Sequence, residues 1–93
     1  MIIHLSIHAP KAGKEQDLID SMRRFGAAGA GQAGFVEAKT LRDARTGRLV
    51  GMARWEDAAS WRAGVEAMRA AVEDDPFDEW EAAETESFLL EEA

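Results

Sequence analysis

Phe35-Val36-Glu37-Ala38-Lys39-Thr40-Leu41 and Leu49-Val50-Gly51-Met52-Ala53-Arg54-Trp55 are two extended runs flanking Arg42-Asp43-Ala44-Arg45-Thr46-Gly47-Arg48. Gly47 can take the positive φ that a hairpin loop needs, so the two runs are expected to pair antiparallel. Downstream, Asp57 is placed to cap a helix in which Trp61, Val65, Met68 and Val72 recur at i, i+4, i+7 and i+11 as one apolar stripe. Upstream, residues 2 to 8 alternate. Ile3, Leu5 and Ile7 fall on one face and Ile2, His4, Ser6 and His8 on the other, which is the period of a strand.

Pro10 and Gly13 break that strand. From Lys14, the residues Leu18, Ile19, Met22 and Phe25 recur at helical spacing opposite Glu15, Asp20, Arg23 and Arg24. Gly26, Gly29, Gly31 and Gly34 each weaken a helix by about 1 kcal/mol relative to Ala, so the first helix should end near Gly29 to Gly31. Near the other end, Asp75-Pro76 reads as a cap followed by proline at the first helical position. It opens a short helix carrying Phe77 and Trp80, and Thr85 to Leu90 alternates again as a fourth strand.

The expected order is strand, helix, strand, strand, helix, strand within one domain over residues 1–93. This is an α+β, ferredoxin-like split β-α-β-β-α-β plan: a four-stranded antiparallel sheet with helices on one face. The face the helices leave free must be solvated or covered by a partner. The reading assigns the mixed face of strand one, with Ile2, His4, Ser6 and His8, to that second side, as a dimer interface or a lined cavity. A chain of 93 residues buries only roughly 60 to 65% of its unfolded surface, which favours pairing with a second copy.

The net charge of −7 is unevenly placed: residues 1–72 hold 11 basic and 8 acidic groups, whereas residues 73–93 hold 10 acidic groups and no basic one. An acidic surface repels phosphate backbones, so nucleic acid is not an expected partner. The acidic run reads first as a solvating face, and the Arg42, Arg45 and Arg48 hairpin as a solvated loop that could also clamp an anion. Cysteine is absent, which removes disulfides, thiolate nucleophiles and thiolate metal sites. The N-terminal residues show neither a secretory leader nor a membrane-spanning run, so no membrane is expected and the cytoplasm is the expected compartment.

Met1-Ile2-Ile3, Lys11-Ala12-Gly13-Lys14-Glu15 before the first helix, Gly34-Phe35-Val36 opening strand two, and Arg54-Trp55-Glu56-Asp57 leading into the second helix carry a resemblance. In this order and spacing, over nearly the whole chain, the sequence resembles the antibiotic-biosynthesis-monooxygenase-like family. The resemblance implies a dimeric α/β barrel: a homodimer whose two sheets meet, with a pocket between sheet and helices in each subunit. Some members are cofactor-free oxygenases that convert electron-rich phenols or hydroquinones to quinones; others degrade haem. Family members often carry a histidine nine residues after the strand-three tryptophan, where this chain has Gly64. Haem degradation is therefore disfavoured, and no cofactor or metal is expected.

A cofactor-free oxygenase needs a flat apolar pocket, a proton acceptor and exclusion of water. Histidine is the side chain that ordinarily exchanges a proton near neutral pH, so one of His4 and His8 is the candidate base, with His4 preferred, and Ser6, Trp55, Trp61, Met68, Phe77 and Trp80 are the candidate wall around a small aromatic molecule. The same aromatics would also serve as an ordinary core, in a non-catalytic dimeric binding or interaction module with a closed interior. His4 and His8 lie roughly 13 Å apart along one strand, too far to hold one metal ion together. His8, beside Pro10, is expected to be the more exposed of the two. No phosphate-binding glycine loop or nucleophile elbow is present.

Overall fold

The computed structural model describes residues 1–93. Its elements run β1 (Ile2–His8), α1 (Glu15–Gly29), β2 (Phe35–Arg42), β3 (Leu49–Trp55), α2 (Ala58–Ala70), α3 (Phe77–Trp80) and β4 (Glu86–Glu91). The four strands form one antiparallel sheet in the order β2-β3-β1-β4, with the helices on one face. This is the expected ferredoxin-like α+β plan. Gly47 takes φ +76° in the β2–β3 loop, and Asp57 caps α2, its Oδ1 accepting the Ser60 N–H at 2.8 Å.

One sequence signal acts differently from expectation. Asp75 does not cap α3. Its carboxylate accepts the Ser21 hydroxyl at 2.6 Å and the Arg24 guanidinium at 2.9 Å, tying the segment before α3 to α1. Ser21 is 1% exposed, and a buried hydroxyl needs a partner more than a four-residue helix needs a cap. α1 ends at Gly29, within the expected Gly29 to Gly31, and runs through Gly26 without a break. A Cβ at Gly26 would stand 3.0 Å from the Ala38 Cβ, and one at Gly29 would stand 2.5 Å from the Phe35 ring. These glycines let α1 sit close on β2, and that packing outweighs their low helix propensity.

The larger correction concerns the two faces of β1. Register pairs Ile2 with Trp55, His4 with Ala53, Ser6 with Gly51 and His8 with Leu49. Ile2, Ala53, Trp55 and Met68 form one buried cluster, and Leu18, Ile19 and Met22 of α1 bury Leu49 in another. The mixed face is thus the one beneath the helices. The uncovered face carries Ile3, Leu5 and Ile7, flanked by Val50 and Met52 of β3 and by Phe88 and Leu90 of β4. Phe88 and Leu90 are each 42% exposed. Strand alternation separates the two sets of side chains without saying which set the helices cover.

Candidate functional site

Between the helices and the sheet lies a cavity of about 560 Å³, and its floor is the polar set of β1: His4, Ser6 and His8. Gly51 lies beside Ser6 on β3 and Ser87 faces it from β4, so the floor is open on one side and hydroxylic on the other. Met22, Phe25 and Phe77 provide apolar wall, and Arg69 of α2 reaches the lining. A space of this size can hold a small organic molecule.

His4 occupies one part of the floor. Its Nε2 lies 3.1 Å from the Ser87 Oγ, and its ring meets the edges of Trp61 and Phe25 with centroids 5.8 and 6.4 Å away. Burial, with the Arg69 charge adding to it, holds the His4 imidazole below its ordinary value of 6.5. Both effects disfavour the cation, so His4 is neutral at pH 7 and keeps a nitrogen lone pair.

His8 occupies the other part, and the expectation that it is the more exposed histidine is corrected: it is 8% exposed. Its Nδ1 lies 2.6 Å from Glu81 Oε1 and its Nε2 lies 3.1 Å from Ser6 Oγ. The Thr85 hydroxyl donates to the Glu81 carboxylate at 2.7 and 2.8 Å. The backbone explains why Glu81 arrives there. The Ala82 N–H donates to the Ala9 carbonyl at 2.7 Å and the Lys11 N–H to the Trp80 carbonyl at 2.8 Å, which clips residues 80–82 to the end of β1. Glu81 belongs to the acidic run read as a solvating face. Its signal was the antiparallel continuation of β4 past Glu86, which carries Thr85 and the residues before it back toward His8.

The sequence-predicted wall residues separate into two groups. His4, Ser6 and Phe77 line the cavity. Trp55 and Met68 are 0% exposed in the core and do not reach it. Trp61 packs edge-on against His4 from behind. Trp80 meets Phe77 edge-to-face at 6.0 Å and packs against the Leu18–Leu49 cluster. Helical spacing identifies a buried stripe, filled here by Val65, Met68 and Val72 against Trp55 of β3, while Trp61 and Trp80 stay partly exposed. The cavity remains where α1 and the sheet present small residues, Ser21, Gly26, Ala38 and Gly51. The hairpin arginines divide between partners: Arg42 pairs with Glu15 of α1, and Arg48 lies 3.7 Å from Glu86 of β4.

The sequence matches no protein-family model and no curated protein. Solved structures match it closely in shape. A variant of SnoaB, a cofactor-independent oxygenase from Streptomyces nogalater, superposes with a TM-score of 0.78 at 18% identity, over 98% of this chain and 91% of that one. A conserved protein from Methanosarcina mazei gives 0.82 at 14% identity, over 99% and 92%. An antibiotic biosynthesis monooxygenase gives 0.77 at 12% identity, over 100% and 99%. The chain therefore has the ferredoxin-like fold that structures of antibiotic biosynthesis monooxygenases share.

Proposed function

We propose that this protein is an oxygenase that uses neither metal nor flavin, oxidises a small electron-rich phenol or hydroquinone, and works as a homodimer paired through its sheets. The observation that carries the reading is His4: a neutral, partly buried imidazole on the floor of a cavity whose wall includes Met22, Phe25 and Phe77. The shared fold of a cofactor-independent oxygenase supports it. The cavity argues against a closed interior; the alternative of a non-catalytic dimeric module that only binds a small ligand is separated from the oxygenase by the oxygen-uptake test below.

The chemistry follows from the site. A phenol enters with its ring against Phe25 and Phe77 and its hydroxyl at His4, which takes the proton through a ring nitrogen. The phenolate passes one electron to dioxygen. The resulting superoxide and phenoxyl radical combine at the ring carbon opposite the oxygen, forming a C–O bond. Loss of the hydrogen on that carbon and cleavage of the O–O bond release water and leave a quinone. The balance is one phenol and one dioxygen to one quinone and one water. The apolar wall favours electron transfer from a phenolate that water no longer stabilises.

The uncovered face of the sheet supports the dimer. Ile3, Leu5, Ile7, Val50, Met52, Phe88 and Leu90 make a continuous apolar surface, edged by the Arg54–Glu37 and Lys39–Glu37 pairs. A second copy presenting the same face would bury it symmetrically. The functional test is oxygen uptake with a panel of phenols and hydroquinones. The protein should accelerate uptake with at least one member, and the His4→Ala variant should lose most of that rate. No acceleration across the panel would remove the reading.

A further inference from the structure

The His4 chemistry leaves the second polar group on the cavity floor unused. We infer that Ser6, His8 and Glu81 form a nucleophile, base and carboxylate relay, and that the cavity has a second, hydrolytic activity toward small aryl esters of carboxylic acids. The three side chains form an unbroken chain: Ser6 Oγ to His8 Nε2 at 3.1 Å and His8 Nδ1 to Glu81 Oε1 at 2.6 Å. A nucleophile bonded to a base that is itself oriented by a third group is the arrangement that activates a serine.

The hydrogen bonds set the direction of proton transfer. The Glu81 carboxylate already accepts the Thr85 hydroxyl, so it accepts from the His8 Nδ1–H as well. The Nε2 lone pair of His8 then faces the Ser6 O–H. Both side chains of the His8–Glu81 pair are buried, 10% and 8% exposed, so the carboxylate can stabilise an imidazolium with little competition from water. The clip between residues 80–82 and the end of β1 holds this geometry from the backbone.

Access and electrostatics also fit. Ser6 and His8 both line the cavity. A Cβ at Gly51 would stand 2.7 Å from Ser6 Oγ, so only glycine there leaves the hydroxyl uncovered. Ser87 stands directly opposite Ser6 across the β1–β4 pair, where facing side chains come within roughly 5.5 Å at Cβ. When His4 Nε2 carries its ring proton, the Ser87 hydroxyl 3.1 Å away accepts it and keeps its own O–H to meet a developing oxyanion. The apolar wall of Phe25, Met22 and Phe77 would hold the aryl group.

In the reaction, Ser6 Oγ bonds to the ester carbonyl carbon while His8 Nε2 takes its proton. The tetrahedral intermediate collapses, the bond from carbon to the aryl oxygen breaks, and His8 returns the proton to the leaving phenolate. Water, losing a proton to the same nitrogen, then attacks the acyl group and frees Ser6. One ester and one water give one phenol and one carboxylic acid.

The test uses the whole protein with a fluorophosphonate probe, which phosphonylates activated serines with loss of fluoride, and peptide mass spectrometry to locate the adduct. Labelling at Ser6 is expected, absent in Ser6→Ala and slowed at least about tenfold in Glu81→Gln. Glu81→Gln should also alter the pH dependence of labelling, which a merely structural Glu81 would leave in place. If Glu81→Gln fails to fold, Thr85→Val removes only the hydroxyl that holds the carboxylate and should slow labelling several-fold. The wild type should release 4-nitrophenol from 4-nitrophenyl acetate with a burst and an acetyl group on Ser6. A folded protein with no adduct on Ser6, ester turnover that survives Ser6→Ala, or labelling indifferent to the carboxylate would overturn the assignment.

Discussion

Gly64 lies against Trp55 so closely that a Cβ at position 64 would stand 2.6 Å from Trp55 Cη2 and 2.8 Å from Cζ3. Trp55 is fully buried and its ring is rigid, so it cannot yield without moving the β3–α2 contact. The helix glycine is therefore the space in which the central tryptophan packs. A side chain at this position and the present placement of Trp55 exclude each other.

Gly64→Ala consequently sets two effects in opposition. The substitution gains about 1 kcal/mol of helix propensity, but overpacking a rigid core costs typically about 1–3 kcal/mol. With the clash against ring carbons, the overpacking wins. Gly64→Ala should lower stability by about 1 kcal/mol and the melting temperature by roughly 4–8 °C. Gly64→His should cost more, and denaturant titration followed by tryptophan fluorescence measures both.

His4 predicts a pH dependence of defined sign. Its folded value lies below 6.5, so the unfolded chain binds this proton more readily than the folded one. The neutral ring's contribution to stability is whole above 6.5 and is lost as pH falls from 6.5 through the folded value. His4→Gln should flatten the stability profile in that window. In the oxygenase assay, the acid limb of kcat/KM should have its midpoint below 6.5. Arg69→Gln, which removes the second cause of the shift, should move that midpoint upward.

Trp55 and Phe77 separate core from cavity wall. Trp55→Ala deletes a fully buried ring and should destabilise the protein by about 3–5 kcal/mol, enough to unfold much of a domain of this size. Phe77→Ala, at a partly exposed position on the lining, should leave a folded protein by circular dichroism. It should raise KM for an aromatic substrate several-fold, as measured by steady-state oxygen uptake.

The free face of the sheet predicts a mass. Light scattering behind size exclusion should give about 20 kDa, twice the 10.2 kDa chain. Leu5→Glu places a charge at the middle of the apolar face and should give a folded species of about 10 kDa at the same concentration. A wild-type mass equal to one chain at high micromolar concentration would contradict the pairing.

Much of the fold was legible because it depends on short-range patterns. The alternation of Ile2 to His8, the turn at Gly47, the Asp57 cap and the stripe of Val65 and Met68 are local, and each element formed where its pattern lay. The candidate site was legible only in part. His4 and Ser6 were visible as the polar members of a strand face, and Phe77 as an aromatic on a short helix. Ser87 and Glu81 were not, because their roles depend on register and on the clip to β1, which join residues from opposite ends of the chain.

The sequence by itself determined the order of elements, the two faces of each strand and the acidic character of the last 21 residues, since periodicity and charge are properties of neighbouring residues. Only the tertiary structure decided which face of β1 the helices cover. That choice depends on how Gly26, Gly29 and Gly64 let α1 and α2 approach the sheet. The same close packing drives Trp55 into the core, leaves the cavity over Ser6 and Gly51, and brings Glu81 to His8. Volume and long-range register, which no local pattern encodes, made the polar face of β1 a cavity floor and left its aliphatic face open.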